Sequence, residues 1–378
     1  MSLTKQLLFT QDEYDARVAA VRAHMKARGV DVLLMDQTEF LAYITGFNIS
    51  ENMYRACLLP LEGDPVMVLR EVDLGPFLES SWVQDAAAFA DWEDPLQVLA
   101  RTLAARGWDT LRLGIDEDSY CMPLRRYRQL TALLPKAQFV DFSGVLEQLR
   151  MRKSPREVAY LREAGRIADL ALDAVLATAA EGRSERDAAA VVHQVFMEHG
   201  ADTSRAGIIT AGVGDSFLHG NLHSHPLRRG DVLHLELLPL VNGYSARLMR
   251  PVVIGPAGER AARAEQLVAI QDRQFEAMKP GQPAREIDAI VRDGLLQAGL
   301  RKDYLNISGY TVGHFPLSTP HTSDFSRIFL PTSDWLLEAG MVFHMYVSAS
   351  GVAFSETVLV TDTGIERLTQ APRRLFEV

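Results

Sequence analysis

Gly230-Asp-Val-Leu-His-Leu-Glu-Leu-Leu-Pro-Leu-Val-Asn-Gly-Tyr-Ser-Ala-Arg247 decides how the second half of this chain folds. Two apolar-rich runs, Asp231–Pro239 and Gly243–Ile254, meet at Val241-Asn242-Gly243. Asn-Gly supplies the positive φ angles of a tight hairpin turn, so the runs read as two long antiparallel strands. Side chains alternate along a strand, which puts His234 and Glu236 on one face and Leu235 and Leu237 on the other. On the second arm the same rule groups Ser245 with Arg247. Glu236 and Arg247 then come from adjacent strands and can approach as a charged pair, whose simplest reading is a structural salt bridge.

Working outward, Glu157–Ala180 and Ser184–His199 read as long helices before the hairpin, and Arg260–Met278 and Ala284–Ala298 as two more after it. Gly340–Val347 and Val352–Val360 then read as a second hairpin about a Ser348–Gly351 turn. Two helices and a hairpin, twice over, make a quasi-duplicated α+β unit. On its strands His344, Tyr346 and Ser348 share a face, while Val352, Phe354 and Glu356 alternate on the second arm. Upstream, the spacing of Tyr14, Val18, Val21 and Met25 predicts a helix over 11–29. Strand-like runs at 31–35, 56–60, 65–69, 111–115 and 138–140 alternate with helical ones at 96–106 and 123–134, which predicts an α/β domain over 1–150. Met151-Arg-Lys-Ser-Pro155 marks the boundary with a second domain over 151–378, because Ser154 can cap a helix whose first turn accepts Pro155.

Composition narrows the function. The 378 residues are 47% hydrophobic and 23% charged with a net charge of −10, ordinary for a globular protein. No Lys/Arg block compensates the negative charge, so nucleic acid is not the expected partner, and Arg125, Arg126 and Arg128 read as a solvated helix face. No apolar run is long enough for a membrane span. Cys57 and Cys121 are the only cysteines, and Met1–Thr10 carries no secretory core; both predict a cytoplasmic setting, although one bridge between the two thiols stays open. Seven of the ten histidines fall between His219 and His344, with His219, His223, His225 and His234 inside sixteen residues. Imidazoles that relay protons beside carboxylates that orient them suit hydrolysis or proton transfer. The phosphate-loop, Cys-x-x-Cys, His-Glu-x-x-His and Gly-x-Ser-x-Gly motifs are missing.

In this order and spacing, several segments resemble the creatinase, prolidase and methionine aminopeptidase superfamily. They are Tyr43-Ile-Thr-Gly-Phe47, Arg55-Ala-Cys-Leu-Leu59, Lys153-Ser-Pro-Arg-Glu157, Gly230-Asp-Val-Leu, Gly243-Tyr244, Gly313-His314, Gly340-Met-Val-Phe343 and Glu356-Thr-Val-Leu-Val360. The resemblance implies a creatinase-type α/β N-terminal domain and an α+β "pita-bread" catalytic domain. It also implies five metal ligands, whose positions here carry Glu236, Arg247, His314, Tyr346 and Ser355, with Glu356 next to the last. A guanidinium at the second position opposes a dication there. The pattern is closest to the metal-independent creatinase and ectoine hydrolase branch, which shares a Glu at the first position, a Gly-Met-x-Phe-His run (Gly340–His344) and a hydroxyl-Glu-hydroxyl step (Ser355–Thr357).

That branch implies hydrolysis of a C–N bond in a small cyclic amidine, guanidino or amide zwitterion, with no metal and no cofactor. Its catalytic His lies eleven residues before the Gly of Gly-Asp, which is His219. Glu236 and Glu356 would grip the cationic group. Arg247, Arg327 or Arg55 would meet a carboxylate; creatinase has an Arg where this chain has Leu330, which leaves Arg327 as the stand-in. His314, His321, His344 and Tyr346 would complete the cage, while His223 and His225 find no counterpart. The resemblance further implies a homodimer in which the N-terminal domain of one subunit covers the other's site. Two rival readings share the fold: a metal-dependent Xaa-Pro dipeptidase or aminopeptidase with an atypical site, and a non-catalytic binding protein.

Overall fold

The computed structural model describes residues 5–47, 53–202, 207–211, 217–316, 319–321, 323 and 325–378. The chain divides into two compact units: residues up to Arg150, joined by Thr319 and Pro320, and the remainder from Met151 onward.

In the first unit β1 (Val32–Met35), β2 (Ala56–Pro60), β3 (Val66–Arg70), β4 (Asp85–Phe89), β5 (Arg112–Ile115) and β6 (Gln138–Asp141) form one mixed sheet, ordered β4-β3-β2-β1-β5-β6. Its helices are α1 (Gln11–Arg28), α2 (Thr38–Thr45), α3 (Leu74–Ser80), α4 (Pro95–Ala105), α5 (Leu124–Leu133) and α6 (Val145–Arg150). Alternation along the strands feeds two cores. Leu33, Met35, Cys57 and Leu59 join α1 on one face, and Val32, Leu34, Ala56 and Leu58 join α4 on the other. A sheet covered on both faces explains why its strands read as unbroken apolar runs. α2, α3, α6 and β4 escape sequence reading for a physical reason: the helices are short, α2 is buried on every side, and Asp85-Ala-Ala-Ala-Phe89 has little apolar contrast. Cys57 and Cys121 are both free thiols, and burial pushes each up to about 12.

The second unit opens with α7 (Pro155–Thr178) and α8 (Glu185–Glu198). The Ser154 side chain accepts from Glu157 N–H while the Glu157 carboxylate accepts from Ser154 N–H, a reciprocal cap with Pro155 in the first turn. β7 (Ile209–Thr210), β8 (Val232–Leu237), the tip strands β9 (Leu240–Val241) and β10 (Tyr244–Ser245), and β11 (Leu248–Val253) follow. Next come α9 (Arg260–Ala277), α10 (Ala284–Gln297), β12 (Gly309–Thr311), β13 (Val342–Ala349), β14 (Val352–Val360), β15 (Ile365–Arg367) and β16 (Phe376–Glu377). The main sheet runs β12-β13-β14-β11-β8-β7, with β15 beside β14 and β16 beside β11. Met249 pairs with Ser355 across β11 and β14, so one antiparallel seam joins the two hairpins. Among the described residues no helix is long and apolar enough to cross a membrane.

The first hairpin departs from two continuous strands. Asn242 and Gly243 take positive φ at the tip, and a single register holds throughout, with Val241 opposite Tyr244 and Leu237 opposite Leu248. Between them the ladder opens at Leu238-Pro239 and Ala246-Arg247. Pro239 has no N–H to give, and both backbone groups of Arg247 are taken by the Thr357 hydroxyl, at 2.7 and 3.0 Å. In the second hairpin Ser348 and Ala349 stay in β13, and the turn tightens to Ser350-Gly351, both at positive φ.

The register sorts the sheet's polar residues. Glu236, Met249, Ser355 and Tyr346 are successive cross-strand partners and form one row on one face. Arg250 and Glu356 lie one residue further along and point to the other face, both fully buried. There Arg250 donates all five N–H groups: to Pro372 O, Met249 O, Ser355 O, Ala371 O and, at 2.6 Å, to Glu356 Oε1. The Thr369 hydroxyl donates to the other Glu356 oxygen. The pair clips the chain after β15 onto the back of the sheet.

Two predictions follow from these burials. Glu356→Ala would leave the Arg250 charge buried without its counter-ion and should lower unfolding free energy by about 3–5 kcal/mol; an unchanged urea midpoint would show the pair is dispensable. His234, on β8, packs edge-on against Phe217 at 4.9 Å, and neither ring nitrogen has a hydrogen-bond partner among the described residues. Burial lowers it from 6.5 to about 3. The unfolded imidazole therefore binds a proton as pH drops below 6.5 while the folded one stays neutral. The stability present above pH 6.5 is lost progressively down to about 3. Urea titrations at pH 7, 6 and 5 should show His234→Met losing less stability with acid than the parent; parallel losses would refute this.

Candidate active site

A cavity of about 670 Å³ opens on the face that carries the Glu236–Tyr346 row. Glu236, Leu238, Arg247 and Met249 line it from the first hairpin, Tyr346 from the second, Tyr310 from β12, and His219 from a short 3-10 turn over Phe217–His219. The opened ladder has a consequence here. Arg247 sits opposite Leu238, where the arms no longer hydrogen-bond to each other, and its side chain turns along the cavity wall.

The centre is an ion pair held by a phenol. Arg247 Nη1 donates to Glu236 Oε1 at 3.0 Å and to the Tyr310 hydroxyl at 2.6 Å. Glu236 and Arg247 are nine-tenths or more buried. Burial raises the Glu236 carboxyl above its usual range, while the nearby charges of Arg247 and then His219 oppose the rise. Burial likewise raises the Tyr310 and Tyr346 phenols, so both keep their protons at neutral pH. His344 lies on the same face under the two tyrosines, 5.0 Å from the Tyr310 ring and 5.6 Å from that of Tyr346. Burial first, then Arg247 and His234, lowers it well below 6.5, which makes it a neutral imidazole.

The sequence-predicted residues divide. His219, Glu236, Arg247 and Tyr346 meet at the cavity, with His219 exposed at its edge. His344 supports them from beneath. His314 sits at the hairpin tip, bridged to Tyr244 with rings 4.8 Å apart and packed so tightly over Gly243 that a Cβ there would come within 2.7 Å of the imidazole. His321 is exposed and does not line the cavity.

His321 is therefore one expectation corrected, and others follow. Glu356 is not in the site: the register gives the cavity face to Ser355 and sends Glu356 to the back, into its pair with Arg250. Arg327 turns away as well, donating to Ser326 O at 2.9 Å and lying 6.0 Å from the Trp335 ring. Arg55 belongs to the first unit, where it is buried and donates to the Thr38 hydroxyl. Tyr310 was missed. Nothing local marks it; it reaches Arg247 only because β12 pairs with β13, and Phe325 stacks on it at 4.7 Å.

Residues 159–362, more than half of the chain, match the sequence family described as metallopeptidase family M24, and residues 17–152 match the creatinase/prolidase N-terminal domain. Among curated proteins, the chain is 28% identical to an ectoine hydrolase of Halomonas elongata, with 98% of each chain covered. It is 30% identical to an Xaa-Pro dipeptidase of Pyrococcus furiosus over 63% of this chain and 69% of that one. The crystal structure of a prolidase from Pyrococcus horikoshii superposes with a TM-score of 0.81 at 23% identity, covering 95% of this chain and 99% of that one, a likeness of fold. The chain therefore belongs to metallopeptidase family M24, within the creatinase/prolidase superfamily of pita-bread hydrolases, and carries that superfamily's N-terminal domain ahead of its catalytic one.

Proposed function

We propose that this chain hydrolyses a C–N bond in a small cyclic amidine, guanidino or amide zwitterion by side-chain acid–base chemistry, without a metal ion. One observation carries the reading: Glu236 and Arg247, at two positions that the family resemblance assigns to metal-binding carboxylates, form a buried pair tied to Tyr310. Of the five aligned positions only Glu236 and His314 offer ordinary metal donors. The others present a cation, a phenol that keeps its proton and a hydroxyl. A guanidinium about 4 Å from a dication costs roughly 8 kcal/mol at an effective dielectric of 20. This donor set does not fit a dinuclear metal centre.

A zwitterion carries the same two charges as the pair. Its cationic amidine-like group can replace Arg247 on Glu236 while its carboxylate takes up Arg247, so that neither buried charge is left alone. His219 takes a proton from water as the hydroxyl adds to carbon, then returns it to the nitrogen as the C–N bond breaks. Tyr310 and Tyr346 donate or accept neutral hydrogen bonds around the substrate, with His344 packed beneath them. Similarity to the Halomonas ectoine hydrolase over nearly the full length supports this class. A cytoplasmic homodimer, with the N-terminal domain of one subunit covering the other's cavity, belongs to the same proposal. Similarity to the Xaa-Pro dipeptidase of Pyrococcus furiosus favours a second reading, an Xaa-Pro dipeptidase with a metal ion at an atypical site.

Chelator-treated, desalted protein should open ectoine-like or guanidino zwitterions at the same rate as untreated protein and leave Ala-Pro intact. Turnover of Ala-Pro that appears only with Mn²⁺ or Co²⁺ would establish the dipeptidase reading instead. His219→Ala should cut kcat by about 10²–10⁴-fold; full turnover in that variant would remove His219 from the mechanism.

A further inference from the structure

His223 and His225 take no part in the cavity, yet they are placed with care. The chain just after them runs antiparallel to residues 182–184, immediately ahead of α8. Gly182 N–H donates to Leu227 O at 2.9 Å, Leu227 N–H donates to Arg183 O at 2.6 Å, and Ser184 bridges Pro226. Arg186 Nε reaches the Ser224 hydroxyl at 2.7 Å. Between them Ser224 turns its hydroxyl to Arg186, and the two imidazoles gather beside Glu185, a carboxylate with no solvent exposure. Its Oε1 accepts Ala211 N–H at 2.6 Å, its Oε2 accepts His223 N–H, and His223 Nδ1 lies 3.0 Å from Oε2. The His225 ring is 5.0 Å from the His223 ring. One donor atom from each of the three residues can be chosen so that all lie within 4.8 Å of one another, the one such group of three among the described residues.

We infer that Glu185, His223 and His225 form a mononuclear site for a divalent transition ion of the zinc class, separate from the catalytic cavity. Two imidazoles and one carboxylate select Zn²⁺, Ni²⁺ or Cu²⁺ over Mg²⁺ and Ca²⁺, which prefer oxygen alone. Metal–ligand bonds of about 2.0–2.2 Å set neighbouring donors roughly 3.0–3.5 Å apart. The 3.0 Å spacing of His223 Nδ1 and Glu185 Oε2 already matches. On binding, the ion takes the place of the proton those two atoms share. The backbone N–H groups on Glu185 hold its carboxylate in orientation, as outer hydrogen bonds do in metal sites. Three protein ligands leave a coordination position open to water. Ion binding would also fix the chain on both sides of His219, since Ala211 and His223 flank it.

The inference does not rest on the proposed hydrolase activity, and its test needs no substrate. Full-length protein, stripped with EDTA and desalted, would be titrated with Zn²⁺ in a calorimeter, with Mg²⁺ as the control. One tight equivalent of Zn²⁺ per chain is expected. His223→Ala and His225→Ala should each weaken it at least about tenfold, given that outer-sphere partners alone are worth 10–100-fold. His225 is exposed, so His225→Ala should keep the parent circular dichroism and metal-free Tm and serves as the clean variant. Absence of a tight equivalent would overturn the inference. So would an equivalent that survives the double His223→Ala/His225→Ala variant; its loss in Glu236→Gln would place the ion in the cavity and count against the metal-free mechanism as well.

Discussion

The two-residue period of the central sheet governs what this protein can do. Met249 pairs with Ser355 at the seam between the hairpins, and that one register assigns every polar side chain of β8, β11, β13 and β14 to the front or the back. Two Glu–Arg pairs result, one on each face and with opposite purposes. Arg250 and Glu356 are sealed behind the sheet with every guanidinium N–H used. Glu236 and Arg247 face the cavity. A slip of one residue at this seam would turn the second hairpin's polar side chains to the opposite faces, taking Tyr346 from the cavity and Glu356 from Arg250.

The back pair behaves as a structural clip. A buried ion pair returns its desolvation cost only when the remaining donors and acceptors are satisfied. Here four backbone carbonyls and the Thr369 hydroxyl complete it. The front pair is less complete: burial still raises the Glu236 carboxyl despite Arg247. A carboxylate held in that state gains from a ligand that brings its own positive charge. The neutral imidazoles of His234 and His344 tell the same story from the other side: both rings are buried, and their nitrogens find no hydrogen-bond partner among the described residues.

Much of this was legible in the chain itself. Asn242-Gly243 announced the hairpin turn, Ser154-Pro155 the start of α7, and the alternation of His234 with Glu236 their common face. Those signals are local: a turn needs two residues of the right φ, a cap needs four, and a strand shows its face every second residue. Glu356 was expected in the site through its hydroxyl-Glu-hydroxyl step, and the register gives that face to Ser355 instead. Alternation alone cannot say which of two adjacent residues faces inward until the partner strand is known. Tyr310 was invisible for the same reason, since a Tyr in Gly309-Tyr310-Thr311 has no local signature of an arginine anchor.

The sequence by itself therefore determined the kind of fold, the two hairpins, and the presence of a Glu and an Arg on one pair of arms, because each follows from periodicity and turn chemistry within a few residues. Only the tertiary structure decided which Glu–Arg pair meets the cavity, that Tyr310 holds Arg247, and that Glu185 gathers His223 and His225. Those contacts join residues tens of positions apart, and their geometry is set by strand pairing and burial, which no local stretch encodes.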